Sequence, residues 1–202
     1  MAELILSTIL PLRDISDAEL ITKAIAGSDD GFEELVRRYQ RPIVGYVFRM
    51  LGDYDSALDV TQETFIKVYS SLTKYSSEYK FSTWLYRIAH NAAIDHMRRN
   101  SVNSLSLETE TDGVAYQIQI ESPAPNPEQN RERSEWRKEI DSVIKCLPAA
   151  YRELIVLRHS RDLSYDEISD VTGLPLGTVK NRLFRARDMM RCIFVERGIT
   201  GV

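Results

Sequence analysis

Leu163-Ser164-Tyr165-Asp166-Glu167-Ile168 leads through Gly173-Leu174-Pro175 into Gly177-Thr178-Val179-Lys180-Asn181-Arg182-Leu183-Phe184-Arg185-Ala186-Arg187. This stretch reads as two helices joined by a tight turn. Ser164 and Glu167 form the Ser-x-x-Glu capping box that fixes a helix start. Ile168 and Val171 supply that helix with an apolar face. Gly173 suits a left-handed C-cap, and Pro175 forbids one continuous helix through the turn. The second helix places Val179, Leu183 and Ala186 on one face at helical spacing. Lys180, Arg182, Arg185, Arg187 and Arg191 are left largely outside, against a single Asp188. A helix-turn-helix whose second helix carries this much positive charge suits the major groove of DNA, where Arg and Lys reach base edges and phosphates. A solvated basic helix that binds nothing is the plainer alternative, and the turn chemistry argues against it.

The charge of that helix stands against an acidic background. The chain of 202 residues has 26 Lys and Arg against 30 Asp and Glu, a net charge of −4. Most of its field therefore repels phosphate, which predicts weak DNA binding alone and points to help from a larger partner. The length allows one or two small domains with real cores. Cys146 and Cys192 show no Cys-x-x-Cys spacing and lie on predicted apolar helix faces, so both are expected to be buried thiols. His90, His96 and His159 form no metal-binding spacing, and neither a metal site nor a cofactor is predicted. The apolar run from Leu4 to Leu12 is too short to span a membrane and lacks a basic flank, so a cytoplasmic protein without membrane insertion is expected.

Helical periodicity dominates, and no convincing strand pattern appears; the fold class is all-α. Ser16-Asp17-Ala18-Glu19 is a second capping box, opening a helix that Gly27 ends. A helix follows from about Asp29 to Gln40, with Phe32, Leu35, Val36 and Tyr39 inward, and Pro42 is expected to start a separate short helix through Leu51. Asp53 or Asp55 caps a helix to about Leu72, and Ser82 one to Arg99. Residues 100–126 change character: they are rich in Ser, Asn and Thr, carry acids without a base, and hold prolines at 123 and 125 before Pro127. They read as a linker. Asn126 then caps a helix with Pro127 at its first position and Trp136, Ile140, Ile144 and Leu147 on its apolar face. Pro148 restarts a helix to about His159. Two small helical domains, 14–99 and 127–197, thus flank an acidic tether.

The first domain holds two unusual surfaces. Between Tyr75 and Arg99, aromatic and cationic residues interleave: Tyr75, Tyr79, Lys80, Phe81, Trp84, Tyr86, Arg87, Arg98, Arg99. Phe81, Leu85, Ile88, Ala89 and Ala92 make a buried stripe, and Lys80, Thr83, Arg87, Asn91 and Arg98 a polar one. Rings beside cations and an amide are what capture of single-stranded nucleic acid requires, because bases stack on rings while cations follow the backbone. The competing reading makes Phe81 and Trp84 ordinary core. The preceding helix is electrically opposite, with Asp55, Asp59, Gln62 and Glu63 on one face. Such a face is either merely solvated or docks a basic protein partner.

Four segments in order carry a resemblance: Leu51-Gly52-Asp53…Ala57-x-Asp59-Val60-x-Gln62-Glu63-Thr64-Phe65; Phe81-x-x-Trp84-Leu85-Tyr86-Arg87-Ile88-Ala89-x-Asn91-x-Ala93-Ile94-Asp95; Leu147-Pro148…Tyr151-Arg152; and Gly177-Thr178-Val179-Lys180-x-Arg182-Leu183-x-Arg185-Ala186-Arg187. Together they resemble the extracytoplasmic-function (group IV) sigma factors of the sigma-70 family. The resemblance implies a transcription initiation factor, not an enzyme, with sigma region 2 at 14–99 and region 4 at 127–197. It implies core RNA polymerase as partner, through the β′ clamp helices and β flap, with promoter DNA and an anti-sigma factor as further partners. Asp55, Asp59, Gln62 and Glu63 would dock on the clamp helices. Lys67, Tyr75, Lys80, Trp84, Arg87, Ile88, Asn91, Arg98 and Arg99 would recognise and melt the −10 element: Trp84 and Asn91 at the melted edge, Lys67, Tyr75 and Ile88 at the pocket for a flipped base, Arg98 and Arg99 on the backbone. Ser164, Tyr165, Thr178, Lys180, Asn181, Arg182, Phe184, Arg185 and Arg187 would read the −35 element, with Asn181 standing where the family often has Ser or Thr. A helix-turn-helix regulator acting without polymerase is the alternative, and it leaves the Trp84–Asn91 segment without a purpose. A DNA-processing enzyme with an attached helix-turn-helix would need converging catalytic groups that the sequence does not show.

Overall fold

The computed structural model describes residues 15–104 and 127–199, with side chains at 15–100, 135–159 and 162–199. Every regular element among them is helical: α1 (Asp17–Ile25), α2 (Asp29–Leu51), α3 (Tyr54–Ser71), a 3₁₀ turn (Leu72–Lys74), α4 (Phe81–Ser104), α5 (Pro127–Cys146), α6 (Ala149–Arg161), α7 (Tyr165–Thr172) and α8 (Leu176–Glu196). The segment Leu4–Leu12, the expected Asn126 cap and linker residues 105–126 lie outside the described residues.

Local chemistry sets the helix ends. Ser16 caps α1 by accepting the Glu19 N–H, and the Glu19 carboxylate accepts from the Ser16 N–H at 3.1 Å. Asp53, of the two candidates, caps α3 through the Ser56 N–H at 2.8 Å. α1 and α2 pack so closely that a Cβ on Gly31 would sit 2.8 Å from the Leu20 carbonyl oxygen. At that position only glycine lets the two backbones meet.

Two helix boundaries differ from the sequence reading. Pro42 does not separate two helices; it sits inside a single α2. Proline removes a backbone donor and crowds the preceding turn, yet Leu35 on one side of it and Ile43, Tyr46, Val47 and Met50 on the other all bury into one core. Burial of each such side chain contributes about 1.5–3 kcal/mol, together enough to carry the helix through the defect. α4 begins at Phe81 rather than after a Ser82 cap, with the Trp84 N–H bonded to the Lys80 carbonyl, and continues past Arg99 to Ser104. Extending a nucleated helix costs little even for weak helix formers.

α2 is the axis of the N-terminal unit, with α1, α3 and α4 laid against it; α8 plays that part in the C-terminal unit, against α5, α6 and α7. The two units are also docked on each other. α4 packs on α7, and α2 packs on α6 and α5. One continuous buried cluster therefore runs from Leu20 and Tyr46 to Leu154 and Leu183. Arg49 Nε on α2 donates to Asp141 Oδ1 on α5 at 3.0 Å, and the Lys145 ammonium lies 5.4 Å from the Phe48 ring centre.

Both cysteines depart from expectation: Cys146 and Cys192 are exposed. Cys146 falls beyond the last inward position of α5, where its thiol donates to the Ser142 carbonyl at 3.4 Å and faces Arg197 at 3.5 Å.

Candidate nucleic-acid interface

The helix-turn-helix is built as its local signals require. The Ser164 hydroxyl accepts the Glu167 N–H at 3.2 Å, and the Ser164 N–H donates to Glu167 Oε2 at 2.8 Å. Gly173 ends α7 at φ 70°, and the Ser169 hydroxyl braces the turn by donating to the Leu174 carbonyl at 2.6 Å. Val179, Leu183 and Ala186 are buried, which fixes the rotation of α8. Lys180, Asn181, Phe184, Arg185 and Arg187 point to solvent, while Thr178 and Arg182 are half-buried. Phe184 is 72 % exposed, an apolar ring set among cations. Arg187 donates to the Tyr165 hydroxyl at 3.4 Å, which holds that hydroxyl below its usual pKa, and Arg158 stacks 5.4 Å from the same ring. A continuous cationic ridge with one aromatic and one amide can meet both phosphates and base edges in a groove.

A second surface surrounds the start of α4. The Tyr75 ring meets Phe81 edge-on at 5.8 Å and lies 5.3 Å from Trp84, and Phe81 and Trp84 are 5.9 Å apart. The Tyr75 hydroxyl donates to the Tyr79 carbonyl at 2.6 Å, closing the loop that precedes α4. Phe81 is core, whereas Tyr75 and Trp84 are half-buried and Tyr79 is exposed. Rings fixed at one edge and open at the other form a stacking platform. Arg87, Asn91, Arg98 and Arg99 are exposed along α4, and Ile88 is half-buried among them. Lys67, exposed on α3, pairs its ammonium with Glu63 at 2.7 Å.

The third surface is acidic. Asp55, Asp59 and Gln62 are exposed on α3. Glu63 is half-buried, and the hydrogen bond from Lys67, with Arg99 at 3.6 Å, holds its carboxyl below the usual carboxylate range. Beside Gln62 lies a groove of about 310 Å³ between α2 and α3, lined by Val36, Gln40, Val44, Leu58, Phe65 and Ile66 among others. Ile66 and Tyr69 next to it are 69 % and 58 % exposed. The sequence reading missed this groove, although Gln62, Ile66 and Tyr69 recur at helical spacing and flank the acidic face. Among the described residues no group of three or more His, Cys, Asp or Glu is placed to hold a metal ion, and no helix is long and apolar enough to cross a membrane.

Residues 35–102 match the family model for Sigma-70 region 2, and residues 137–190 match the model for Sigma-70, region 4. The chain is 37 % identical over 168 residues to the ECF RNA polymerase sigma factor SigW of Bacillus subtilis, spanning 82 % of this chain and 89 % of that one. It is 36 % identical over 184 residues to the RNA polymerase sigma-H factor of Pseudomonas aeruginosa, spanning 85 % and 90 %. The chain belongs to the extracytoplasmic-function sigma factors of the sigma-70 family. Its function is promoter-specific initiation of transcription, and its relatives are sigma factors rather than enzymes. Solved structures share the fold. CnrH in complex with the cytosolic domain of CnrY aligns with a TM-score of 0.61 at 23 % identity, covering 89 % of this chain and 97 % of that one. The sigma factor RpoE in complex with the anti-sigma factor NepR from Bartonella quintana aligns with a TM-score of 0.61 at 21 % identity, covering 79 % and 94 %.

Within this sigma factor one expected surface residue is turned inward. Thr83 does not lie on a solvent-facing polar stripe; it is 3 % exposed, and its hydroxyl donates to Glu167 Oε1 at 3.4 Å. Lys80 binds the same carboxylate oxygen at 2.9 Å. Burial opposes ionisation of Glu167, but the Ser164 backbone, Lys80 and the Ser164 hydroxyl outweigh it and keep the pKa low. Arg182, expected outside, is half-buried, with its charge acting on Glu153 of α6.

Proposed function

We propose that the three surfaces divide the work of initiation. The acidic face of α3, Asp55, Asp59, Gln62 and Glu63, together with the apolar groove beside it, docks on core RNA polymerase. Apolar burial supplies affinity there and the carboxylates choose a basic partner face. The outer ridge of α8, Lys180, Asn181, Arg182, Phe184, Arg185 and Arg187, with Thr178 and the α7 start at Ser164 and Tyr165, reads the −35 element. The platform of Tyr75 and Trp84, with Lys67, Lys80, Arg87, Ile88, Asn91, Arg98 and Arg99 around it, captures and holds the unpaired −10 strand. Region 2 is assigned to residues 14–99, the linker to 100–126 and region 4 to 127–197. An anti-sigma factor is the expected regulator, since the fold neighbours CnrH and RpoE include one solved with an anti-sigma factor.

The single observation that carries this reading is the half-open Tyr75–Phe81–Trp84 platform beside exposed Arg87 and Asn91, on a chain that also bears a separate cationic recognition helix. Melting then needs no covalent step. Unstacking costs a few kcal/mol and is offset when an extruded base stacks on a ring, worth about 1–3 kcal/mol. The test is transcription in vitro with purified core polymerase on genomic promoter fragments. Transcripts that depend on this protein and are lost in Trp84→Ala and in Arg185→Ala are expected. Specific duplex binding by the protein alone, with no dependent transcript, would sink this reading in favour of a polymerase-independent regulator.

A further inference from the structure

The apolar run from Leu4 to Leu12 has no part in the three surfaces. It is Leu-Ile-Leu-Ser-Thr-Ile-Leu-Pro-Leu, and from residue 2 to residue 12 the one charge is Glu3. Such a run is too short to span a bilayer. Contiguous apolar surface of this kind marks an interaction site.

Where the chain enters the described fold decides what lies within reach of that run. Ile15 is buried, and its carbonyl accepts from Arg38 Nη2 at 2.7 Å. Asp17 accepts from Arg38 at 2.8 Å and from the Tyr39 hydroxyl. The Tyr39 ring meets Phe81 edge-on at 5.4 Å, and Phe81 in turn lies 5.8 Å from Tyr75 and 5.9 Å from Trp84. α1 also packs against the 3₁₀ turn that precedes Tyr75. Burial, with the Asp17 charge behind it, raises the pKa of the Tyr75 hydroxyl. The chain ahead of Ile15 is thus tethered two ring contacts from the platform. At about 3.4 Å per extended residue, residues 9–14 span about 20 Å, enough to lay Ile9 and Leu10 on Tyr75 and Trp84.

The platform offers what such a run needs. Tyr79 is 53 % exposed, and Tyr75 and Trp84 are half-buried. Lys74, Lys80 and Arg87 stand exposed around them, opposite in sign to Glu3. The other exposed apolar patch of this unit is worse placed. Ile25 ends α1 and Tyr69 meets Phe32 at 4.9 Å, so that patch stands at the far end of α1 from the tether. From the tether, the composition of the run and the open rings, we propose that residues 4–12 dock on the Tyr75–Tyr79–Trp84 platform of the same chain and compete there with unpaired DNA.

One ring face cannot hold a leucine and a stacked base at once. Strand affinity therefore falls in proportion to the uncovered fraction, so a platform covered about nine-tenths of the time binds about tenfold more weakly. The competition rests on the strand-capturing role proposed above, whereas the docking itself does not.

The test uses the full chain with Trp136→Phe, which leaves Trp84 as its one tryptophan. Quenching of Trp84 fluorescence by acrylamide reads how well the ring is covered. Ile9→Asp with Leu10→Asp is expected to steepen quenching about twofold by shifting the population toward the uncovered ring. Ile9→Val with Leu10→Met should leave quenching as it was. A short fluorescein-labelled oligonucleotide, the non-template −10 strand of a promoter found in the transcription assay, is expected to bind the Asp variant about tenfold more tightly. Equal Trp84 quenching in the parent and the Asp variant would overturn the docking, whatever transcription shows. Sedimentation of the parent chain, but not the Asp variant, with phosphatidylglycerol vesicles, at unchanged Trp84 quenching, would give the run to a membrane surface and overturn it too. Steeper quenching without tighter strand binding would overturn the competition. If Trp84→Ala also bound the strand as wild type does, the platform's role in strand capture would fall with it.

Discussion

Two buried carboxylates respond to pH in opposite directions. Glu34 is 6 % exposed on α2 and accepts from Arg37 at 2.5 and 2.6 Å and from Arg38 at 3.0 Å. The Arg37 hydrogen bonds outweigh burial and, with Arg38, hold its pKa down to about 2 from 4.5. A lowered folded pKa means stability that is fully present above 4.5 and lost as pH falls toward 2. Glu34→Gln should therefore cost about 1–2 kcal/mol at pH 7 by denaturant unfolding and nearly nothing at pH 2. Arg38 also donates to Asp17 at 2.8 Å and to the Ile15 carbonyl at 2.7 Å, so this carboxylate orients the cation that ties the start of α1 to α2. Glu153 is the opposite case, with burial raising its pKa from 4.5 to about 7 and Arg182 opposing the rise. Stability from its protonated form is complete below 4.5 and lost as pH climbs through 7. Glu153→Gln should stabilise the protein at pH 8, by an amount on the order of 1–3 kcal/mol, and leave it unchanged at pH 4. Equal effects at both pH values would show that burial of the charge is not the cause.

At the scale of elements, the signals that were legible are those whose cause is local. The α7–α8 turn follows from Ser164, Glu167, Gly173 and Pro175 within a dozen residues, and the structure places each as its chemistry demands. The acidic face of α3 is equally plain, because helical spacing alone brings Asp55, Asp59 and Gln62 together. Pro42 misled because a local breaker was outvoted by apolar residues on both sides of it. Replacing it tests that explanation. Pro42→Ala restores a backbone donor whose loss costs about 3 kcal/mol, but gives the unfolded chain back about 0.4–1 kcal/mol of entropy. The net gain should be on the order of 2 kcal/mol, seen as a rise of several degrees in Tm. A fall in Tm would mean that α2 uses a bend at this point. The cysteines misled because periodicity does not tell which residue near a helix end meets a neighbour: Cys146 is exposed although Ile144 and Leu147 on either side of it are buried.

For the whole molecule, long-range contact decides what sequence spacing cannot. Thr83 and Glu167 are 84 residues apart, and nothing in either segment specifies their meeting. The platform of Tyr75 and Trp84 was legible as an interleaving of rings and cations, yet its half-open packing against buried Phe81 required the fold. The central claim is that the region 2 platform captures a melted strand while α8 reads duplex DNA, the two surfaces standing on separate units of one chain. Transcription from one promoter supplied in two forms, fully duplex and with the −10 segment already unpaired, addresses that claim most directly. Trp84→Ala should be defective by about 10–100-fold on the duplex, equivalent to roughly 1.4–3 kcal/mol of lost stacking, and recover most activity on the unpaired template. Arg185→Ala should be defective on both. A Trp84→Ala defect undiminished on the unpaired template, or an Arg185→Ala defect relieved by it, would contradict the assignment.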